Sequence, residues 1–193
     1  MIRIAIVGDI GSGKSYVSKL FGYPVFDADN EVTRLYKKSY KCYYKLKRLL
    51  PKYIASFPIK KNELTKAIED KNYNLKKIIK VIHPEIRLRM NKFIKKNKKQ
   101  KVVVLDIPLI LENKINKKND ILIFIEASKK EINIRLKKRP NYNKSILNKL
   151  KKFQLPLEIK KKKSNYLIKN DFKSLNLRKR VKILKNKILN ANE

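Results

Sequence analysis

Residues 8–15 combine residue types and a spacing that bind the phosphates of a nucleotide. Their sequence, GDIGSGKS, matches G-x-x-x-x-G-K-[ST] and directly follows an apolar run, residues 2–7, that predicts a buried strand. Glycine lets successive backbone N–H groups turn inward around a phosphate. The helix predicted to follow would direct the positive end of its dipole at the same phosphate. Lys14 would reach the β- and γ-phosphates, and the Ser15 hydroxyl would be a ligand of Mg²⁺.

A chance glycine-rich turn is the alternative interpretation of this segment. The apolar strand before it and the helical pattern after it favour nucleotide binding, because the phosphate-binding loop occurs in that context. The chain is therefore predicted to bind a nucleoside triphosphate. The predicted contacts are Gly8, Asp9, Ile10, Gly11, Ser12, Gly13, Lys14, Ser15 and Tyr16.

Three aspartates at or near the ends of predicted strands are candidates for acid–base and metal chemistry. Asp27 and Asp29 follow a short apolar run, and Asp106 lies near the end of the apolar residues 101–107. We predict that Asp29 accepts the proton of an attacking hydroxyl, with a helix N-cap as its alternative role. For Asp27, a structural or metal-linked role and a helix cap are equally consistent. Asp106 would hold Mg²⁺ directly or through water.

The remaining sequence predicts the elements that must position these residues. Apolar runs predict a five-stranded parallel sheet, and helical patterns predict an α/β fold. Between the second and third strands the chain is entirely helical, which suggests an inserted substrate-binding subdomain. The predicted strands are residues 2–7, 24–26, 101–107, 121–125 and 166–168; the predicted helices are residues 30–50, two or three helices over 62–97 with a junction at His83-Pro84, 129–138, 146–153 and 173–190.

The amino-acid composition limits which kinds of partner the chain is expected to bind. Its formal net charge is +35, but 42 of its 51 basic residues are lysines that run along all 193 residues. Base readout and bidentate phosphate binding favour arginine, so a solvated lysine surface is favoured over a nucleic-acid interface, and no specific nucleic-acid partner is expected. No apolar stretch of about 18 residues predicts a membrane span, and no signal segment precedes the first strand. The single cysteine, Cys42, fits a reducing cytosol.

The motifs together resemble the dephospho-coenzyme A kinase family, within the P-loop kinases, over nearly the whole chain. Several kinase families share the phosphate loop, whereas the other motifs, in this order and spacing, are specific. They are Asp27-Ala28-Asp29, Ile82-His83-Pro84, Pro108-Leu109-Ile110-Leu111-Glu112, Arg135 with Arg139, Gln154, and Ile168-Lys169-Asn170.

This resemblance implies ATP-dependent phosphorylation of the ribose 3′-hydroxyl of dephospho-coenzyme A, the last step of coenzyme A synthesis, with Mg²⁺. It implies a three-layer fold in one domain, residues 1–193. We expect a monomer or weak homo-oligomer in the cytoplasm. The core would be residues 1–29, 100–134 and 164–193, the helical coenzyme-binding insert 30–99 and the lid 135–163. The resemblance assigns Asp29, Lys14 and Arg139 to catalysis, Arg135 and Asn170 to the nucleotide, and Asp29, His83, Pro108, Leu109 and Glu112 to the second substrate.

Taken without the resemblance, some of these residues have simpler interpretations. His83 fits helix packing or capping better than a substrate contact. Arg135 and Arg139, four residues apart, suit a bidentate phosphate clamp or a solvated helix face equally well. Three departures from the family pattern stand out: Asp9 replaces a small residue, Lys160 occupies a lid position where an arginine would face phosphate, and Ser164-Asn165 replaces Ala-Asp.

Two other functions compete with this interpretation. The first is another small-molecule or nucleotide P-loop kinase, which would share the loop and differ in the helical insert. The second is a non-enzymatic nucleic-acid-binding or GTPase-like protein. The sequence contains no N-K-x-D guanine signature, and its aromatic residues are not interleaved with arginines.

Overall fold

The computed structural model describes residues 1–140 and 142–191 and contains a five-stranded parallel sheet in the order β2-β3-β1-β4-β5. The central strands read as continuous apolar runs because both faces of a parallel sheet are covered. The predicted α/β fold with a parallel five-stranded sheet is confirmed. The strands are β1 (Ile2–Gly8), β2 (Val25–Asp27), β3 (Val102–Asp106), β4 (Ile121–Ala127) and β5 (Tyr166–Asn170).

The helices follow the predicted apolar patterns, with differences at their ends. The helix predicted over residues 30–50 is divided at Ser39, whose hydroxyl accepts a hydrogen bond from the Cys42 N–H and caps the second part. Among the described residues the helices are α1 (Lys14–Leu20), α2 (Ala28–Lys38), α3 (Tyr40–Leu49), α4 (Lys61–Asp70), α5 (Asn72–Lys96), α6 (Lys129–Lys137), α7 (Lys144–Lys151), α8 (Leu157–Lys162) and α9 (Ser174–Asn190).

The predicted helix junction at His83-Pro84 is wrong, because α5 runs through Pro84 without a break. Proline removes one N–H donor from a helix and disfavours helical backbone in the residue before it. The apolar face of α5 outweighs that local cost, since it is buried both before and after the proline, at Ile78 and Ile82 and again at Ile86. Helix α8 was not predicted, because its lysine-rich sequence has little apolar periodicity.

The chain divides into two compact units. The first comprises residues 1–27, 96–142 and 153–193 and contains the sheet. Its core packs β-strand residues such as Ile6 and Val104 against α1 and α9 through Val17 and Val181. Hydrophobic burial of this kind is the main favourable term in folding.

The second unit comprises residues 28–95 and 143–152 and is helical. Leu46 and Ile54 are fully buried in it, and Lys149 of α7 donates hydrogen bonds to the carbonyls of Ile68 (2.8 Å) and Glu69 (2.9 Å). The residues predicted as a lid are divided, with α7 in this unit and α8 in the first. Asn141 of the predicted lid and Asn192-Glu193 of the predicted core lie outside the described residues.

In the part of the chain that the structure describes, no helix combines the length and the apolar composition needed to cross a bilayer.

Candidate active site

The phosphate loop connects the end of β1 to the start of α1. Gly13 lies directly before α1 with φ of 93°, a left-handed conformation that favours glycine. At Gly8 a Cβ atom would lie 2.8 Å from the Ile125 carbonyl oxygen, so the close approach of β4 also requires glycine. The glycine spacing therefore serves both the loop conformation and its packing on the sheet.

Lys14 is held against the loop that precedes it. Its side chain is largely buried, and Nζ donates hydrogen bonds to the carbonyl oxygens of Asp9 (2.7 Å) and Gly8 (3.3 Å). The loop backbone thus positions a cation where the predicted β- and γ-phosphates would lie.

Asp9, which replaces a small residue of the family pattern, directs its carboxylate to the backbone of the loop. Its Oδ1 accepts a hydrogen bond from the Ile10 N–H at 2.7 Å. One backbone donor of the loop is therefore engaged by a side chain of this chain.

Two aspartates and one serine meet beside the loop. Asp27 and Asp106 are register partners at the ends of β2 and β3, and the Ser15 hydroxyl hydrogen-bonds to Asp106. Burial raises the pKa of Asp106, and the negative charge of Asp27 acts in the same direction; the Ser15 hydrogen bond and the positive charge of Lys14 oppose the rise. A cation placed here would offset the cost of burying the carboxylate.

This donor set fits Mg²⁺ bound together with a nucleotide. Mg²⁺ in nucleotide sites takes one or two carboxylates, retains water and completes its shell with substrate phosphates. The described residues contain no cluster of three or more His, Cys, Asp or Glu side chains arranged to hold a metal by themselves. Ser15 and Asp106, the predicted ligands, are brought together by the structure, and Asp27 lies next to them.

Asp29 is in a different local structure from the one predicted. The sequence predicts Asp29 at the tip of a strand, but β2 ends at Asp27 and Asp29 lies in the first turn of α2, in the helical unit. A carboxylate in the first turn of a helix interacts favourably with the helix dipole. Asp29 therefore lies inside the helix, so its alternative role as an N-cap is wrong, and its role as proton acceptor stays a prediction.

Asn170 and Tyr16 connect the C-terminal elements to the phosphate loop and to helix α1, respectively. The buried Asn170 side chain at the end of β5 donates a hydrogen bond to the Ser12 carbonyl oxygen at 2.8 Å. The Tyr16 hydroxyl hydrogen-bonds with Ser174 Oγ at 2.7 Å, and this bond together with nearby Arg178 lowers the pKa of Tyr16. Asn170 therefore contacts the phosphate loop, and its predicted contact with the nucleotide stays a prediction.

Arg135 contributes an aromatic contact that the sequence did not predict. Its guanidinium carbon lies 4.4 Å from the centre of the Phe172 ring, in the turn after β5. Phe172 belongs to none of the motifs in the sequence. Its position two residues after Asn170 is the only sequence feature that points to a place near the site. Arg139 follows α6 and is exposed.

The residues predicted to contact the second substrate lie in separate elements. His83 is a half-buried residue of α5, and Pro108, Leu109 and Glu112 lie in the turns that follow β3. The Glu112 carboxylate accepts a hydrogen bond from the Leu155 N–H at 2.9 Å. Its predicted contact with substrate remains a prediction.

Lys160 differs from the expectation that it faces phosphate. Its side chain is 1% exposed, and Nζ lies 2.7 Å from the Glu112 carboxylate and 3.1 Å from Gln154 Oε1. A buried ammonium requires such partners, because an unpaired charge is very costly away from water. Lys160 therefore joins α8 to the turns after β3.

We predict that Lys160→Met destabilises the protein, because it leaves the Glu112 carboxylate without its buried counter-ion. Breaking a buried pair by removing one partner costs about 3 kcal/mol, which for a chain of this size lowers Tm by roughly 6–12 °C. Thermal unfolding followed by circular dichroism measures this change. Lys162→Met, an exposed position of the same helix, is the control and should leave Tm unchanged. Equal Tm values for the two variants would contradict the pairing.

Comparisons with known proteins agree with the geometry of the site. The profile of the family described as dephospho-CoA kinase matches residues 2–176. A dephospho-CoA kinase of Wolbachia pipientis wMel is 34% identical over 170 residues, covering 86% of this chain and 87% of that protein.

Solved structures of similar proteins share the fold. The protein TT1252 from Thermus thermophilus superposes with a TM-score of 0.78 and 28% identity, covering 98% of this chain and 97% of that one. A dephospho-CoA kinase from Campylobacter jejuni has a TM-score of 0.67 at 18% identity, covering 99% and 98% of the two chains. At that identity the second likeness concerns the fold alone.

Proposed function

This chain belongs to the dephospho-CoA kinase family, and we propose how its residues carry out the family's reaction, ATP-dependent phosphorylation of the ribose 3′-hydroxyl of dephospho-CoA. The enzyme is a phosphotransferase with an alcohol group as acceptor, and its product completes coenzyme A synthesis. The observation that carries the proposal is the contact of Ser15 with Asp106 beside Asp27, next to the loop that holds Lys14.

The loop and Lys14 bind and orient the ATP phosphates. Backbone N–H groups of the loop contact phosphate oxygens, and the Lys14 ammonium neutralises charge on the transferred phosphoryl group. Ser15 and Asp106 would hold Mg²⁺, with Asp27 next to them; when bound, the ion supplies further positive charge at the phosphates. Little covalent help is needed from the protein, because phosphoryl transfer depends mainly on position and charge.

Asp29 takes the proton of the acceptor hydroxyl. The ribose 3′-oxygen forms a bond to the γ-phosphorus as the bond from that phosphorus to the β,γ-bridging oxygen breaks, and ADP leaves. The proton of the hydroxyl passes to the Asp29 carboxylate. Support for this role comes from the position of Asp29 in the chain, two residues after Asp27, and from its match to the second acid of the family's D-A-D motif. We assign His83, Pro108, Leu109 and Glu112 to contacts with dephospho-CoA on the same resemblance.

We expect the enzyme to act in the cytoplasm as a monomer or weak homo-oligomer. Its single cysteine, Cys42, is a buried free thiol, which is compatible with a reducing compartment.

A coupled assay of ADP release tests the proposed function. The purified protein is offered ATP, Mg²⁺ and a panel of hydroxyl acceptors that includes dephospho-CoA, shikimate and nucleosides. Turnover with dephospho-CoA, at a kcat/KM at least a hundredfold above that for the other acceptors, is the expected result. A preference for another acceptor would assign the chain to a different kinase activity.

Arg139→Ala should lower kcat and raise the KM for ATP. Arg139 lies in the predicted lid, and its charge would stabilise the transition state more than the ground state. Steady-state kinetics measure the effect, and hydrogen exchange over residues 139–163 with and without a non-hydrolysable ATP analogue reports closure. Lys137→Ala, on the preceding turn, is the control. An unchanged kcat with no added protection would place Arg139 on the solvated surface.

A further inference from the structure

Phe172 has a backbone conformation that a bulky side chain rarely adopts. Its φ is 58°, in the left-handed region, and among the described residues other than glycine only Lys114, at 49°, shares a positive φ. A bulky residue in this region is strained and persists only when its surroundings determine it. Such strain is concentrated at ligand-binding and active sites, so Phe172 calls for a functional explanation.

Hydrogen bonds on both sides determine the conformation of this turn. The Phe172 N–H donates to Asn170 Oδ1 at 2.8 Å, while the amide nitrogen of the same Asn170 side chain donates to the Ser12 carbonyl at 2.8 Å. Asp171 accepts hydrogen bonds from the Lys173 N–H at 3.1 Å and the Asn176 side chain at 2.8 Å. The turn is thereby attached to the phosphate loop through the buried Asn170.

The Phe172 ring lies between the loop and Arg135. One ring carbon would be 3.8 Å from a Cβ atom built on Gly13, so the ring borders the phosphate loop. Arg135 is an exposed residue in the last turn of α6, and its guanidinium lies over the ring face at 4.4 Å. A cation over an aromatic face is attracted by the electrons of the ring. An exposed arginine, which would otherwise sample many rotamers, is thus held next to the loop.

We infer that Phe172 is a positioning residue for the nucleoside triphosphate, acting through Arg135. Its ring keeps the guanidinium at the border of the phosphate loop before the nucleotide arrives, so that less side-chain entropy is lost on binding. The inference rests on the proposed function only in that the loop binds ATP. It explains why a strained residue is kept at this turn.

Three substitutions at Phe172 separate the effect of its aromatic ring on ATP binding from the effect of its strained backbone. Phe172→Tyr keeps the aromatic face and should bind ATP as the parent does. Phe172→Leu keeps the bulk and the strain but removes the aromatic face, and its Kd for ATP should rise about fivefold. Phe172→Asn removes the ring and suits a positive φ, so its Kd should rise equally while Tm does not fall. Isothermal titration with ATP and Mg²⁺ and thermal unfolding give both quantities.

Lys114→Asn is the matched control for strain alone. It changes the second residue with a positive φ, which lies in the turns that follow β3, and should leave the Kd for ATP unchanged. If Phe172→Leu binds ATP as tightly as the parent, or if Lys114→Asn weakens ATP binding as much as Phe172→Leu does, the inference is overturned.

A double-mutant cycle tests whether Phe172 acts through Arg135. Arg135→Ala alone and Arg135→Ala with Phe172→Leu should have the same Kd for ATP, because the ring has no cation left to hold. A further fivefold loss in the double variant would contradict the positioning role. Lys14→Ala distinguishes a failure of this inference from a failure of the proposed function. If Lys14→Ala is as active as the parent, the assignment of the phosphate loop fails. If only Phe172→Leu binds ATP normally, the inference is rejected and the proposed function stands.

Discussion

Replacing Lys14 with alanine should reduce turnover by about two orders of magnitude or more. The ammonium is held at the phosphate loop by the Gly8 and Asp9 carbonyls, where it would neutralise charge on the moving phosphoryl group. Negative charge builds on the leaving β,γ-bridging oxygen in the transition state, within reach of the same ammonium, so removing Lys14 should lower mainly kcat. Steady-state ADP release with dephospho-CoA measures the change.

The control for Lys14→Ala is Lys182→Ala, which removes an exposed lysine from α9. It should keep parental kinetics, because one charge on a surface of net charge +35 has little effect at physiological salt. Far-UV circular dichroism of both variants verifies the fold. Turnover of Lys14→Ala within threefold of the parent would refute the assignment of the loop.

Asp29→Asn should abolish most of the phosphoryl transfer while retaining ATP binding. The amide matches the carboxylate in shape and can orient a hydroxyl, but it cannot accept the proton. The expected loss in kcat is about a hundredfold or more. Titration with ATP under the same conditions should give a Kd close to that of the parent.

Asp27→Asn is the matched comparison, since Asp27 lies two residues earlier and next to Asp106. Its defect should be relieved by raising the Mg²⁺ concentration, because a carboxylate near the metal ligands acts on cation affinity. The Asp29→Asn defect should persist at saturating Mg²⁺. If Asp27→Asn remains the more damaging change at saturating Mg²⁺, Asp27 and not Asp29 is the base.

The sequence alone was sufficient for the features that depend on local patterns. The phosphate loop was recognised because glycine, lysine and serine at that spacing leave few other roles, and the five strands because buried parallel strands are short apolar runs. Asp106 was found because an acid near the end of such a run lies at the edge of the sheet that carries the chemistry.

Only the tertiary structure decided which distant residues meet. The register that pairs Asp27 with Asp106, the hydrogen bond from Asn170 to Ser12 and the burial of Lys160 against Glu112 join residues far apart in the chain. Local propensity was overruled at Pro84, where burial of the apolar face of α5 offsets a missing donor. The strained turn at Phe172 depends on hydrogen bonds that anchor it to the loop. Such contacts follow from how whole elements pack, and no local pattern of residue types encodes them.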